Sequence, residues 1–111
     1  MPSPRTEQLQ IAPIASEVTE RLLLRLDGEL DLATAALLRA RLREFDAQAL
    51  TLDLTGVSFT DSTGLAILLE ARTRARRSGT TLRIRGASGQ TRELLERTGV
   101  LTLLEGPTDP A

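Results

Sequence analysis

Asp61, Ser62 and Thr63 stand in a row, with Phe59 just before them and Gly64 just after. One carboxylate and two hydroxyls at consecutive positions suit a helix N-cap, where a side-chain oxygen accepts from the unpaired N–H groups of the first turn. A cap needs only one such side chain. Gly64, inside the first turn, costs about 1 kcal/mol relative to Ala, so the position calls for a reason, such as close approach of another backbone or of a partner. A second polar cluster, Asp27, Gly28, Glu29 and Asp31, brings three carboxylates within five residues. Paired carboxylates can serve acid–base chemistry or hold Mg²⁺, but no nucleophile–base pair accompanies these, and they read more simply as a solvated turn. The chain has no His and no Cys. It therefore lacks the usual neutral-pH base, the commonest metal ligand and any disulfide, and most hydrolase mechanisms are excluded. No catalytic residue, metal site or cofactor is expected.

The elements around these residues follow from periodicity. Ala49–Leu54 alternates as a strand that ends at the turn-forming pair Thr55-Gly56, and Leu65, Leu68, Leu69, Arg72, Ala75 and Arg76 recur at helical spacing until Ser78-Gly79. A strand thus feeds a loop that opens a helix over about 62–78, with Asp61 or Ser62 at its N-cap. Upstream, Leu9, Ile11 and Ile14 suggest an edge strand that tolerates Pro13, and Arg21–Leu26 reads as a more buried strand. Residues 15–20 form a hairpin connection between them. Ala35, Leu38, Leu42 and Phe45 mark a helix for which Asp31 is the natural cap, with Thr34 close behind. Thr81–Arg85 alternates as a further strand. A last amphipathic helix opens at Ser88 or Gln90 and stops at Gly99, and Val100–Leu104 closes the domain as a turn of helix or strand.

Strand followed by helix, repeated after an initial hairpin, predicts an α/β domain with a mixed sheet of four to five strands and helices packed against it. One hundred and eleven residues suffice for one core. We expect a lead-in over 1–6, one domain over 7–105 and a tail over 106–111, with both ends disordered. Aromatics make up only 2% of the chain, so the core must be aliphatic. Phe45 and Phe59 read as core or near-core, which leaves no stacking platform for nucleic acid. The net charge of −1 recruits neither polyanions nor membranes. Arg72, Arg74, Arg76 and Arg77, with Arg83 and Arg85, read as a solvated helix end favoured by the dipole rather than a nucleic-acid patch. No run approaches a membrane span and the N-terminus has no apolar leader, which predicts a cytoplasmic protein.

The motif Asp61-Ser62-Thr63-Gly64-Leu65, with Phe59 before it, resembles the phosphorylation-site signature of anti-sigma factor antagonists, the small single-domain members of the STAS superfamily. Gly28-Glu29-Leu30-Asp31 resembles that family's second segment, and the resemblance extends over nearly the whole chain. Ala66 departs from it, standing where many members carry a second glycine.

The resemblance implies a single STAS domain that is not an enzyme. Its partner is an anti-sigma factor with serine kinase activity, displaced from a sigma factor by the unphosphorylated antagonist; a phosphatase reverses the modification. Ser62 is then the phosphoacceptor, Asp61 orients or polarises it and shapes the kinase contact, Thr63 is a neighbouring contact or minor acceptor, Gly64 belongs to the motif, and Asp31, Glu29 and Thr34 belong to the docking surface. ATP and Mg²⁺ are the kinase's ligands. A phosphoserine at a helix N-terminus faces unpaired N–H groups and the positive end of the dipole, so the fold should accept it and the effect should appear at the interface. The superfamily also offers an alternative role, as a scaffold in a signalling assembly or the STAS subunit of a lipid transporter; a monomer is expected for a switch.

Overall fold

The computed structural model describes residues 9–15, 21–45 and 49–106. Its strands are β1 (Leu9–Ala15), β2 (Arg21–Leu30), β3 (Ala49–Thr60) and β4 (Leu82–Arg85). Its helices are α1 (Ala35–Arg43), α2 (Ser62–Arg77), α3 (Gly89–Arg97) and α4 (Leu101–Glu105). The four strands lie in one sheet in chain order, with β1 antiparallel to β2, and β2, β3 and β4 parallel. The expected mixed sheet with an edge hairpin is therefore present, and Pro13 sits on the edge strand beside a register irregularity. The expected lead-in over 1–6 lies outside the described residues, as do the expected hairpin connection over 15–20 and tail over 106–111 except for their first residues: Ala15 belongs to β1, and Gly106 is the C-cap of α4.

The core is aliphatic. Leu24, Leu26, Leu30, Leu38, Leu52, Leu54, Leu68, Leu95 and Leu104 are fully buried. Helix α2 supplies Leu65, Ile67, Leu68, Ala71 and Ala75 to it from one face, and α1 packs against α2, with Arg39 and Glu70 paired at 3.1 Å. The closing segment from Val100 resolves as helix α4, which packs on β4 and α3.

Two strands run further than their sequence pattern suggests. β3 does not end at Thr55-Gly56. It continues to Thr60, and the pair instead marks a bulge where β3 carries one more residue than β2, between the partners Asp53↔Arg25 and Gly56↔Asp27. A Cβ at Gly56 would fall on the Asp27 carboxylate, so any larger residue would push that side chain aside where the two strands close again. β2 likewise passes through Asp27-Gly28 to Leu30, and the acid-rich segment expected to be a turn is strand up to Asp31.

At the bulge, the largely buried Asp53 accepts hydrogen bonds from the Thr55 hydroxyl and amide, and Arg85 of β4 lies 3.6 Å away. The Thr55 hydroxyl, then its amide, hold the Asp53 carboxyl below the usual carboxylate range; burial opposes them, and Arg85 and Arg25 add to the lowering. A lowered folded-state pKa means stability that is complete above the unfolded value and is lost as pH falls through the folded one. Asp53→Asn should cost about 1.5–3 kcal/mol at neutral pH, the range for hydrogen bonds to a charged group. Urea melts along a pH series should show the wild type converging on the variant in acid; a gap independent of pH would refute the ionic account.

Candidate functional site

β2 and β3 run parallel, so their C-terminal ends emerge side by side, with Glu29 opposite Phe59 and Leu30 opposite Thr60. The chain leaves β2 into the loop that leads to α1, and leaves β3 directly into α2. Two interactions stitch these exits together. The Asp61 amide donates to the Leu30 carbonyl at 3.0 Å. Gly64, buried in the first turn of α2, rests directly on Leu30; a Cβ there would stand 2.7 Å from the Leu30 carbonyl carbon and 2.8 Å from its Cβ. The close approach that the glycine implied is thus made by the chain's own backbone.

Asp61 is the N-cap of α2, in extended conformation, and its Oδ1 accepts from the Gly64 amide at 3.0 Å. That settles which of Asp61 and Ser62 caps the helix. Ser62 becomes the first helical residue and its side chain is exposed. It stands where the amides of the first turn have no intrahelical acceptor and the helix dipole is positive. Thr63 is half-buried beside it.

Across the exit from β2, Asp31 Oδ1 accepts from the amides of Ala33 and Thr34 at 3.0 and 3.1 Å. Asp31 thus shapes the turn before α1 rather than capping the helix as expected: its acceptor is used up on the turn, and the N-cap position falls to Thr34, with the helix beginning at Ala35. The Thr34 hydroxyl donates to the Glu29 carbonyl at 2.8 Å and accepts from the Asp31 amide at 3.0 Å. Thr34 is buried, so it holds the loop from beneath, while Glu29 and Asp31 are half-buried at the surface. Glu29, Asp31, Thr34, Asp61, Ser62, Thr63 and Gly64 all lie at this one end of the sheet.

Other residues of the site escaped sequence reasoning. Phe59, read as core or near-core, is 39% exposed, and Leu32 is 76% exposed. With Asp31, Ala33 and Asp61 they line an open depression of about 580 Å³. β3 gains a residue on β2 twice, between Asp53 and Gly56 and again between Val57 and Phe59, so Val57 and Thr60 turn inward and Phe59 faces outward; a strand taken to end at Thr55-Gly56 carries no register that would place it. Gln90 is the other. β4 pairs with β3 only through Asp53, so the end of β3 lacks a neighbour on that side, and the Gln90 side chain takes its place. Its Nε2 donates to the Thr60 carbonyl at 2.7 Å and its Oε1 accepts from the Thr60 amide at 2.9 Å. Below it the Thr60 and Thr91 hydroxyls share a buried hydrogen bond of 2.9 Å. The N-terminus of α3 thereby fixes the last residue before Asp61.

The site is an exposed serine hydroxyl on a braced helix start, flanked by an apolar pair and three carboxylates. Among the described residues, none of Glu29, Asp31 and Asp61 takes part in an ion pair, and no group of three or more metal-ligating side chains could hold a metal ion. The arrangement can receive a group or dock a surface.

The family model for the STAS domain matches residues 12–110 of this chain. No curated protein matches it. Among solved structures, an anti-sigma factor antagonist from Mycobacterium paratuberculosis is 23% identical, over all of this chain and 92% of that one, with a TM-score of 0.72. The Bacillus cell fate determinant SpoIIAA in its phosphorylated form is 20% identical over 92% of each chain, with a TM-score of 0.66. The murine solute carrier 26 family member A9 anion transporter shares the fold as one part of a larger chain, at 21% identity over 78% of this chain and 15% of that one, with a TM-score of 0.66.

Proposed function

The chain belongs to the STAS domain family, and from that premise we propose that it is an anti-sigma factor antagonist that works by partner switching. In its unmodified form the end of the sheet carrying Ser62 binds an anti-sigma factor that is also a serine kinase, and the sigma factor is released. Transfer of a phosphoryl group from the kinase's ATP to the Ser62 hydroxyl ends that binding, and a phosphatase restores it. The antagonist is the substrate of this chemistry and performs none itself.

The observation that carries the reading is the exposed Ser62 hydroxyl at the first position of a helix whose cap is already supplied by Asp61. Because Asp61 serves the Gly64 amide, Ser62 is not needed for capping and its hydroxyl is available to a kinase. Phe59 and Leu32 supply the apolar contact, and Glu29, Asp31, Asp61 and the half-buried Thr63 surround it with polar groups. Gly64 and Thr34 act from beneath, by holding the two loops in place. No helix among the described residues is long and apolar enough to cross a membrane, and we place the protein in the cytoplasm as a monomer.

Incubation with the cognate anti-sigma kinase and Mg-ATP should add one phosphate, mapped by mass spectrometry to Ser62 and lost in Ser62→Ala. If a kinase that binds the protein never phosphorylates it, the docking surface stands but the switch does not. The alternative of a scaffold or transporter STAS subunit would then lead, and light scattering on the assembled complex would decide for it.

A further inference from the structure

The opposite end of the sheet carries a basic groove that the Ser62 site does not use. α2 has 16 residues, so Arg76 and Arg77 at its C-terminus stand roughly 20 Å from Ser62 along the helix axis. Three adjoining depressions run from there across the starts of the parallel strands. The first is lined by Thr73, Arg76 and Arg77. The second, a notch of about 170 Å³, is lined by Arg72, Arg76, Arg83, Leu82 and Leu103 among others, and the third reaches Arg83, Thr81 and Arg21. Arg76 joins the first to the second, and Arg83 and Thr81 join the second to the third.

Helix-dipole complementarity accounts for basic residues in the last turn of α2. It does not account for Arg72, one turn earlier, or for Arg83 on β4, yet both converge on the same notch. Among the described residues, Arg72, Arg76, Arg77 and Arg83 take part in no ion pair. The notch also has an apolar wall, since Leu103 is 43% exposed beside it. Guanidinium groups spaced along a groove, rather than gathered about one point, suit an extended chain of carboxylates more than a single small anion. A leucine wall and the lack of any aromatic platform there favour polypeptide over single-stranded nucleic acid.

We propose that this groove docks an extended acidic segment of a partner protein, one that carries an aliphatic side chain into the notch between Arg72, Arg83 and Leu103. The interface is separate from the Ser62 surface, so occupancy does not depend on the phosphorylation state of Ser62, and the proposal stands or falls apart from the switch.

Fluorescence anisotropy with a labelled synthetic peptide alternating glutamate pairs with single leucines tests it, beside an oligoglutamate of equal charge, oligothymidylate and tripolyphosphate. The leucine-bearing peptide should bind best. Reversal of the exposed pair, Arg76→Glu with Arg77→Glu, should weaken it at least about tenfold, the loss expected for charge pairs at an interface; Arg83→Glu should act in the same direction. Leu103→Ser should weaken the leucine-bearing peptide but not oligoglutamate, and Ser62→Asp should leave both unchanged. The proposal is overturned if the peptide fails to bind at low salt or ignores the charge reversals. Tighter binding of oligothymidylate or tripolyphosphate would make the groove a general polyanion site. Self-association of the wild type that the arginine reversals abolish would make the occupant a second copy of this chain.

Discussion

Gly64→Ala should lower the unfolding free energy by about 1–3 kcal/mol, although the substitution improves intrinsic helix propensity by about 1 kcal/mol. The reason lies in what the added methyl group would meet. The neighbour is the main chain of Leu30, not the end of a flexible side chain, and Leu30 is itself fully buried. To make room, the first turn of α2 must lift from β2, which forces overpacking costs of about 1–3 kcal/mol and weakens the Asp61 amide bond to the Leu30 carbonyl, worth about 1 kcal/mol. Urea denaturation should show a lower midpoint at unchanged slope. Ala66, two residues on and exposed, gives the contrasting case: Ala66→Gly should cost only the propensity difference, about 1 kcal/mol. A Gly64→Ala variant as stable as the wild type would mean that Gly64 does not set the seating of α2.

This glycine also marks how far the sequence could be read. Its place inside a helical pattern signalled a close approach but could not say by what, because Leu30 is distant in sequence and meets it only through the parallel pairing of β2 with β3. Local signals did well where one residue type has one physical use. Asp61 as a cap and the amphipathic stripe of α2 follow from neighbours within a turn, whereas Asp31, expected to cap α1, closes the turn before it and leaves the N-cap position to Thr34. Local signals failed where the sheet intervened. Thr55-Gly56 has the composition of a turn, yet Asp53 and Asp27 on neighbouring positions of the ladder convert it into a bulge, and the bulge alters what faces outward beyond it. Phe59 and Gln90 were missed because both depend on the sheet: Phe59 lies on the outward face of a strand that continues past the turn-like pair, and Gln90 replaces a strand that β4 is too short to provide.

Ser62→Asp should leave the fold intact and abolish binding to the anti-sigma kinase. For the fold, a carboxylate at the first position of α2 lies near the positive end of the dipole, an arrangement that contributes about 0.3–1 kcal/mol, and the exposed side chain displaces nothing in the core. The melting temperature should therefore hold or rise slightly. At the interface the same charge joins Glu29, Asp31 and Asp61, none of which is neutralised by an ion pair within the described residues. A partner surface matched to the uncharged hydroxyl must then bury an additional, unmatched carboxylate, which costs 2 kcal/mol or more, so affinity should fall by at least about 30-fold. Ser62→Ala, which adds neither bulk nor charge, should bind within a few-fold of wild type. Calorimetric titration of the three proteins with the kinase separates the causes, because a loss that arises from charge shrinks as added salt screens the exposed part of the repulsion. Equal binding by Ser62→Asp and wild type would remove the electrostatic basis of the switch, whatever the phosphorylation state of Ser62. A fall shared equally by Ser62→Ala would show instead that the hydroxyl itself makes the contact.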